Sequence, residues 1–338
     1  MLFPNCRWVF RIRGYEFFFN SFLVINLSQY IFLSFMKNNS QNTFNPEFIT
    51  GFIDAEGCFT IVFFKNKETW YVRPIFQLAL NVKDKFLIEQ IKAFFSGKGV
   101  IYYDSINKLI CFRVYKNEDL INVIIPHFLK YPLRTQKRAD FLLFKLAIEL
   151  IREKEHLTTE GLKKIVGIKA SINRSLSEKL IEAFPDFIPV ERPIIKTSIL
   201  DPYWIAGFSS GESCFDVKIN KNVKNKLGFQ TQLRFRIAQH EKDVSLLNLI
   251  RQYLNCGTIQ TSKKVKELTV TRNKDIVNIL IPFFNKYTVR GVKSLEYTDF
   301  CKIAFLMRDK AHLTMEGCDQ IRNIKAGMNT RREPDSTQ

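Results

Sequence analysis

The sequence predicts an α+β fold of two similar units, each with the element order αββαββα, forming a pseudo-two-fold monomer with two antiparallel sheets. Residues 45–60 and 201–216 both begin with a helix-capping residue and a proline, and both carry a glutamate just before a small residue that ends the helix. The spacing of like residues is also constant. The same number of residues separates Glu56 from Glu212, Pro126 from Pro282, Lys137 from Lys293, and His156 from His312.

The chain divides into five predicted segments. At its start, arginines lead into an aromatic and aliphatic run that polar residues interrupt, which is typical neither of a membrane-spanning helix nor of a presequence. We expect a leader outside the core, with Met36 as an alternative start. Three prolines between the units predict a semi-rigid linker. The segments are the leader at 1–43, the first unit at 44–183, the linker at 184–200, the second unit at 201–330 and a tail at 331–338.

Each unit is expected to start with a short helix that carries small residues four apart. These are Gly51 and Ala55 in the first helix and Gly207 and Gly211 in the second. This spacing lets two helix backbones approach closely, so we predict that the helices pack on each other. Glu56 and Glu212 then emerge side by side at helix C-termini, where the helix dipole and the other carboxylate disfavour negative charge. A divalent metal ion meets that need, although either helix alone would suit a solvated glutamate.

After each of these helices the apolar period changes to two, which predicts strands. In the first unit Phe59, Ile61 and Phe63 share one face of a strand, and the chain returns after a turn at 65–68. The next predicted elements are a helix at 83–95, strands at 100–103 and 109–115, and helices at 118–127 and 136–153. The second unit repeats this order with a slightly longer hairpin. Each unit therefore has one antiparallel sheet with helices on one face.

The chain is strongly basic, with a formal net charge of +18 over 338 residues and a pI near 9.6. This charge predicts a polyanionic partner, of which nucleic acid is the commonest. An anionic membrane surface is the other candidate, but Lys and Arg are spread along the whole chain. The 7 cysteines include no C-x-x-C pair, which favours reduced thiols over a structural zinc. The charge also argues against a two-carboxylate glycosidase, whose sugar substrate is neutral.

The side of each sheet opposite its helices is expected to be polar. Two-stranded ribbons fit the major groove of DNA, where Arg, Gln, Asn, Lys and Thr contact base edges, but a solvated sheet face would show the same alternation. In the second unit the candidate DNA-binding residues are Asp216, Lys218, Asn220, Gln230, Gln232, Arg234, Arg236, Thr269 and Thr271. In the first unit they are Thr60, Val62, Tyr71, Arg73, Gln77, Arg113 and Tyr115.

Residues 49–57, ITGFIDAEG, resemble the LAGLIDADG motif, and residues 205–213, IAGFSSGES, resemble a more degenerate second copy. Two motifs in one chain are similar to the single-chain LAGLIDADG homing endonucleases of fungal mitochondrial introns, and the likeness extends over about 44–330. The departures are Glu for the usual Asp at the last acidic position and Ser213 for the final Gly. The resemblance implies two tandem LAGLIDADG-like units and a site-specific endonuclease. Such an enzyme hydrolyses one phosphodiester per strand in a long asymmetric DNA site, with Mg²⁺ as cofactor.

The resemblance also implies a metal site. Glu56 and Glu212 match the acidic residues with which the family holds Mg²⁺, and Ala55 and Gly211 complete the predicted set. We expect each acid to act near the interface of the two helices.

Other residues of the family's site also have matches in this sequence. Lys137 and Lys293 match the basic residue that the family places beside the scissile phosphates. Gln239 matches the polar residue that positions the attacking water. Its counterpart in the first unit is Leu80, which lacks the chemistry for that role.

The implied partner is double-stranded DNA, bound by a functional monomer with no small-molecule substrate. Intron RNA is a second candidate partner, because a group I intron maturase or a non-cleaving nucleic-acid-binding protein of the same fold is the alternative. Such proteins often lack one or both acids, so the presence of both favours the nuclease. The resemblance, together with 32 Phe and many Ile, Lys and Asn from AT-rich codons, indicates a mitochondrial origin.

Overall fold

A computed structural model describes residues 8–12, 15–19, 44–172, 176–196, 200–262 and 265–328. Within the expected leader, strands β1 (Trp8–Ile12) and β2 (Tyr15–Phe19) form an antiparallel hairpin. The rest of the leader lies outside the described residues, as does the predicted tail at 331–338. Residues 45–338 form a separate unit from residues 1–44. None of the helices in the described ranges combines the length and the apolar character that a membrane span requires.

The first repeat begins with helix α1 (Pro46–Glu56). Asn45 caps it by accepting a hydrogen bond from the Glu47 amide, and Pro46 occupies the first turn. The helix stops at Gly57, where the backbone becomes extended and a strand starts at once. The elements that follow are β3 (Gly57–Asn66), β4 (Thr69–Asn81), α2 (Lys85–Phe94), β5 (Val100–Asp104), β6 (Leu109–Val114), α3 (Ile125–Lys130), α4 (Lys137–Arg152), α5 (Thr159–Ala170) and α6 (Glu178–Ala183).

In its described residues the second repeat reproduces the order from α1 to α5. Asp201 caps its first helix through the amides of Tyr203 and Trp204. Its elements are α7 (Pro202–Glu212), β7 (Ser213–Lys221), β8 (Phe229–His240), α8 (Val244–Leu254), β9 (Thr258–Ser262), β10 (Val265–Val270), α9 (Ile281–Lys286), α10 (Val292–Arg308) and α11 (Met315–Ala326). In the first repeat, the helix predicted at 118–127 differs from the observed one. It contains a π-helical segment, Leu120–Ile124, and continues as α3 to Lys130.

Each repeat contains one 4-stranded antiparallel sheet, in the order β3-β4-β6-β5 or β7-β8-β10-β9. The inner face of each sheet packs on its helices through aromatic rings. In the first repeat these include Phe59, Phe76, Phe128, Phe141 and Phe144, and in the second Phe215, Phe235, Phe284 and Phe300. The α+β fold with two antiparallel sheets is therefore confirmed.

Helices α1 and α7 pack directly on each other at the centre of the two repeats. A Cβ atom added to Gly51 would lie 2.1 Å from the Trp204 carbonyl oxygen, and one added to Gly207 would lie 2.0 Å from that of Phe48. Both distances are far below contact distance, so the backbones touch where these glycines lie. The linker was predicted to cross from one repeat to the other as a semi-rigid segment. In the structure it also packs on the first repeat. The Val190 amide donates to the Gly167 carbonyl at 3.2 Å.

Candidate active site

Glu56 and Glu212 lie together at the C-terminal ends of α1 and α7, next to the first strand of each sheet. A Cβ atom at Gly211 would lie 3.0 Å from Oε1 of Glu56, which shows how closely the ends of the helices approach. Burial raises the pKa of Glu56, while Lys137 and Lys293 oppose that rise. Burial also raises the pKa of Glu212, and the charge of Glu56 raises it further. Two acids that resist ionisation side by side form a site that a cation stabilises.

Lys137 begins α4 and contacts the end of α1. Its Nζ donates to the carbonyl oxygens of Ile53 at 3.0 Å and of Ala55 at 3.1 Å. Burial lowers the pKa of this lysine, although Asp54, Glu212 and Glu56 oppose that change. The ammonium group thus satisfies carbonyls in the last turn of α1 and neutralises the negative end of the helix dipole. Ala55 was predicted as part of the metal site, and its carbonyl oxygen accepts the hydrogen bond from Lys137.

Lys293 is placed differently from Lys137, although the two begin equivalent helices. Its Nζ lies 3.3 Å from Oε2 of Glu296, one turn further along α10. In the first repeat the residue equivalent to Glu296 is Asp140, which forms an ion pair with Arg192 of the linker. In the first repeat, Arg192 of the linker is therefore the ion-pair partner of Asp140. In the second repeat, Lys293 is the ion-pair partner of Glu296.

The surroundings of the two glutamates also differ in polarity. The Gln239 side chain hydrogen-bonds to Glu212, and this bond lowers the pKa of Glu212 against the effect of burial. Leu80 occupies the equivalent place in the first repeat and is buried. Leu80 and Glu56 line one cleft of about 340 Å³, together with Asp84, Gly211, Arg290 and Lys293.

A buried carboxylate, Asp54, holds the two repeats together beside this site. It accepts hydrogen bonds from the Arg134 amide at 2.7 Å, the Thr135 hydroxyl at 2.7 Å, and Nε1 of Trp204 at 2.8 Å. Trp204 lies on α7, so the last bond joins the repeats. The role of Asp54 was not predicted, because the aspartate of the first motif has Ser210 as its equivalent in the second.

Two further aspartates connect each repeat to the other's lysine-bearing helix. Asp84 accepts from the Val292 amide at 2.8 Å, next to Lys293, and Asp243 accepts from the Gln136 amide at 3.1 Å, next to Lys137. The contacts are related by the pseudo-two-fold arrangement. An aspartate follows the second strand of each repeat, so the sequence shows that Asp84 and Asp243 are equivalent. It does not show which amides they contact.

The outward face of the second sheet is polar and ionic. Arg234 and Arg236 both donate to Asp216, at 2.8 Å and 2.6 Å, and Arg236 also reaches Glu267 at 3.1 Å. Asp216 thus orients two arginines. The remaining predicted residues on strands β7 and β8 lie on the same face, since register pairs Lys218 with Gln232 and Asn220 with Gln230.

Two predicted residues of this sheet differ from the expectation of an exposed base-contacting face. Thr269 is buried, and its hydroxyl donates to Glu267 at 3.0 Å. Thr271 lies one residue beyond the end of β10. Glu267 was missed from sequence, although its alternation with Leu268 would have placed it on the polar face.

The outward face of the first sheet is richer in apolar and aromatic groups. Register pairs Thr60 with Ile75 and Val62 with Arg73, and it pairs Gln77 with Arg113 on the next strand. Nε of Arg113 donates to the Gln77 side chain at 2.9 Å. Tyr71 is exposed on this face, and Tyr115 lies one residue beyond the end of β6.

The acidic pair fits a divalent cation in its chemistry. Mg²⁺ in phosphoryl-transfer sites commonly binds one or two carboxylates, with water and substrate phosphates completing the shell. Within the described ranges no cluster of three or more His, Cys, Asp or Glu side chains is suited to a metal ion. Glu56 and Glu212 would be the protein carboxylates of such a site, and a bound cation would favour their ionised forms against the effect of burial, which raises both pKa values.

The fold and the site define a pseudo-symmetric two-repeat protein with paired acids at the ends of two packed helices, between two outward-facing sheets. The sequence model of the family described as LAGLIDADG endonuclease matches residues 49–148 and 205–304. The chain belongs to this family, as its motifs predicted.

Curated relatives occur in fungi. The chain is 43% identical over 294 residues to "Probable intron-encoded endonuclease 3" of Neurospora crassa, covering 85% of this chain and 55% of that protein. It is 40% identical over 297 residues to "Probable intron-encoded endonuclease 2" of the same organism, covering 83% of this chain and 64% of that protein. The chain thus spans less than two thirds of each relative.

Solved structures are also similar. The structure of I-SmaMI bound to an uncleaved DNA target in the presence of calcium ions has a TM-score of 0.82 and 45% identity, covering 84% of this chain and 99% of that chain. The structure of I-LtrWI bound to target DNA has a TM-score of 0.83 and 44% identity, covering 85% and 98%.

Proposed function

We propose that this chain is a site-specific endonuclease that cuts both strands of a long, asymmetric DNA site and acts as a monomer. The observation that carries the proposal is the close pair of half-buried glutamates, Glu56 and Glu212, at the adjoining ends of α1 and α7. One chain supplies both acids and both sheets, so no second copy is needed to complete the site. The similar solved structures with bound DNA, aligned over nearly their whole length, support this assignment.

We further propose Mg²⁺ as the physiological cofactor. When bound, a divalent ion of this kind provides an activated water and neutralises charge on the phosphate. The chain's own part is to hold and orient. Glu56 and Glu212 supply carboxylate oxygens, and Gln239 fixes the orientation of Glu212. Lys137 and Lys293 place positive charge beside the acids, where negative charge grows as the phosphate is attacked.

The sheets supply the DNA-binding surface in this proposal. Each is a 4-stranded antiparallel sheet whose outward side carries arginines and other polar residues. Base contacts determine sequence, and the many lysines and arginines of a chain with +18 charge bind phosphates. Affinity should therefore fall steeply with salt concentration, because bound cations are released from the DNA.

An RNA maturase of the same fold is less well supported. Both acids are present and half-buried at one site, whereas a protein that only binds has no use for two carboxylates that repel each other. The fungal relatives are named as endonucleases. Relatives named as intron-encoded, and one named for an ND4 intron in Podospora anserina, support a mitochondrial intron as the location of the gene.

The test is selection of cleaved molecules from a randomised double-stranded DNA library with Mg²⁺ present. We expect a single long consensus without internal symmetry, and stable binding without cleavage when Ca²⁺ replaces Mg²⁺, since Ca²⁺ has looser coordination geometry. Recovery of no cleaved sequence, together with tight binding to structured RNA, would show that the protein is a maturase instead.

A further inference from the structure

The outward faces of the two sheets can be compared position by position, because the hairpins share the same register. Thr60 and Ile75 are paired in the first sheet where Asp216 and Arg234 are paired in the second. One step further out, Val62 with Arg73 corresponds to Lys218 with Gln232. At the third step, Phe64 with Tyr71 corresponds to Asn220 with Gln230. Four of these six positions thus carry an apolar or aromatic side chain in the first repeat and a charged or amide side chain in the second, whereas Thr60 and Arg73 are polar in the first repeat as well.

These apolar groups of the first sheet are exposed. The exposed fraction is 39% for Val62, 38% for Phe64 and 45% for Tyr71. The rings of Phe64 and Tyr71 stack with their centres 5.4 Å apart. Isolated apolar residues on a surface are ordinary, but three neighbours on two paired strands form a patch, and such patches mark binding surfaces.

The arginines of the first sheet lie against aromatic rings. The guanidinium carbon of Arg73 is 5.1 Å from the ring centre of Phe64 and 5.6 Å from that of Tyr115. Arg113 lies 4.6 Å from the ring centre of Tyr102. These contacts hold the guanidinium groups by cation–π attraction. In the second sheet the arginines are instead held by carboxylates, which leave a network of hydrogen-bonding groups at the surface.

We propose that the first sheet recognises thymine by contact with its 5-methyl group, whereas the second sheet recognises bases through hydrogen bonds to their edges. The inference rests on the proposed function, because it requires that the sheets lie in the major groove of DNA. At base edges in that groove the apolar group is the thymine methyl, which therefore matches Val62, Phe64 and Tyr71. The positive charge of the arginines beside the patch fits DNA better than an apolar protein partner.

The test replaces thymine by uracil, which removes the methyl group and keeps every hydrogen-bonding group. Four duplexes of the selected target carry uracil in neither half, in one half, in the other half, or in both. Binding is measured in Ca²⁺ so that the DNA stays intact. We expect uracil in the first repeat's half to weaken binding by about fourfold for each methyl that the patch covers. Uracil in the other half should leave the affinity nearly unchanged.

Two matched variants assign the halves to the sheets. Val62→Ser in the first sheet should reduce the discrimination between thymine and uracil in one half-site, because Phe64 and Tyr71 remain. Lys218→Ser, at the equivalent position of the second sheet, should weaken binding and leave that discrimination intact. A single half that responds to Val62→Ser identifies the half bound by the first repeat.

The possible failures separate this proposal from the proposed function. If the wild-type protein binds no DNA target, the proposed function fails. If it binds DNA but uracil has equal effects in the two halves, or the first repeat's half contains no thymine, then only the methyl-contact proposal is overturned. The same holds if Val62→Ser leaves the discrimination between thymine and uracil unchanged, since the patch would then have another occupant.

Discussion

The two repeats share one backbone plan but differ in the side chains that surround their acids. In the first repeat, Asp54 accepts four hydrogen bonds, including those from Arg134 and Trp204. In the second, Ser210 takes the same place, accepting from the Arg290 amide and donating to the Ala206 carbonyl within its own helix. Only the first repeat therefore uses this position to bind the other repeat. The difference shows that the helix pairing retains symmetry in its glycines while its polar contacts have diverged.

The contact between the helices offers the strongest way to break this arrangement. Gly207→Ala would place a methyl carbon only 2.0 Å from the Phe48 carbonyl oxygen. We expect a loss of about 3 kcal/mol in the free energy of unfolding, because backbone must move to accommodate it. Chemical denaturation measures this. Gly327→Ala is the control, since its nearest atom is 3.7 Å away, and it should leave stability almost unchanged. Equal stabilities of the two variants would contradict close packing of α1 on α7.

The divergence at Asp54 and Ser210 predicts unequal costs of truncation. Asp54→Ala would leave Nε1 of Trp204 and the Arg134 amide without their buried acceptor. It should lower the free energy of unfolding by about 3 kcal/mol, and Ser210→Ala by about 1 kcal/mol. The two variants are compared by urea denaturation under identical conditions. Similar losses would show that the second repeat contributes equally to this interface.

The polar and apolar surroundings of the two glutamates predict unequal cleavage of the two strands. Wild-type enzyme should give a nicked intermediate on supercoiled plasmid, because only Glu212 has a glutamine beside it. Gln239→Leu makes the second repeat resemble the first and should slow one strand by about tenfold, as expected for a poorly oriented reactant. Strand-specific labelling measures both rates. If Gln239→Leu slows the cleavage of both strands equally, or slows a different strand in different preparations, then Gln239 does not act on one strand alone.

The raised pKa values of Glu56 and Glu212 predict a pH effect on stability without metal. The folded protein binds these protons more tightly than the unfolded chain, so the free energy of unfolding falls as pH rises from the unfolded pKa through the raised native pKa. The double variant Glu56→Gln/Glu212→Gln should lose that part of the dependence. Ca²⁺ should stabilise the wild type more at high pH than at low pH, and it should not stabilise the double variant. Thermal unfolding across pH measures both effects.

Much of the fold could be predicted because it depends on local signals. The Asn45 and Asp201 caps, the alternation after Gly57 and Ser213, and the repeated spacing determine element type and order. The approach of Glu56 to Glu212 also followed, because small residues four apart indicate which helix faces meet.

Contacts between distant residues could not be predicted in the same way. The hydrogen bonds from the Val292 amide to Asp84 and from Trp204 to Asp54 depend on how the repeats are oriented, which no local pattern records. The contact of Lys137 with helix carbonyls is of the same kind, as is the pairing of Asp140 with the linker's Arg192. Cation–π contacts on the first sheet need the rotamers of Arg73 and its neighbours, so alternation alone identified the face but not its chemistry.

In the proposed function, Glu56 and Glu212 are the catalytic carboxylates of one double-strand cut. The most direct measurement is a time course of supercoiled, nicked and linear plasmid with Mg²⁺ for the wild type, Glu56→Gln and Glu212→Gln, with a Ca²⁺ binding isotherm for each. We expect each variant to lose at least about a hundredfold in linearisation while its affinity for the target is retained, since the sheets are untouched. If either variant linearises the plasmid at the wild-type rate, that glutamate is not catalytic and the two-acid account is contradicted.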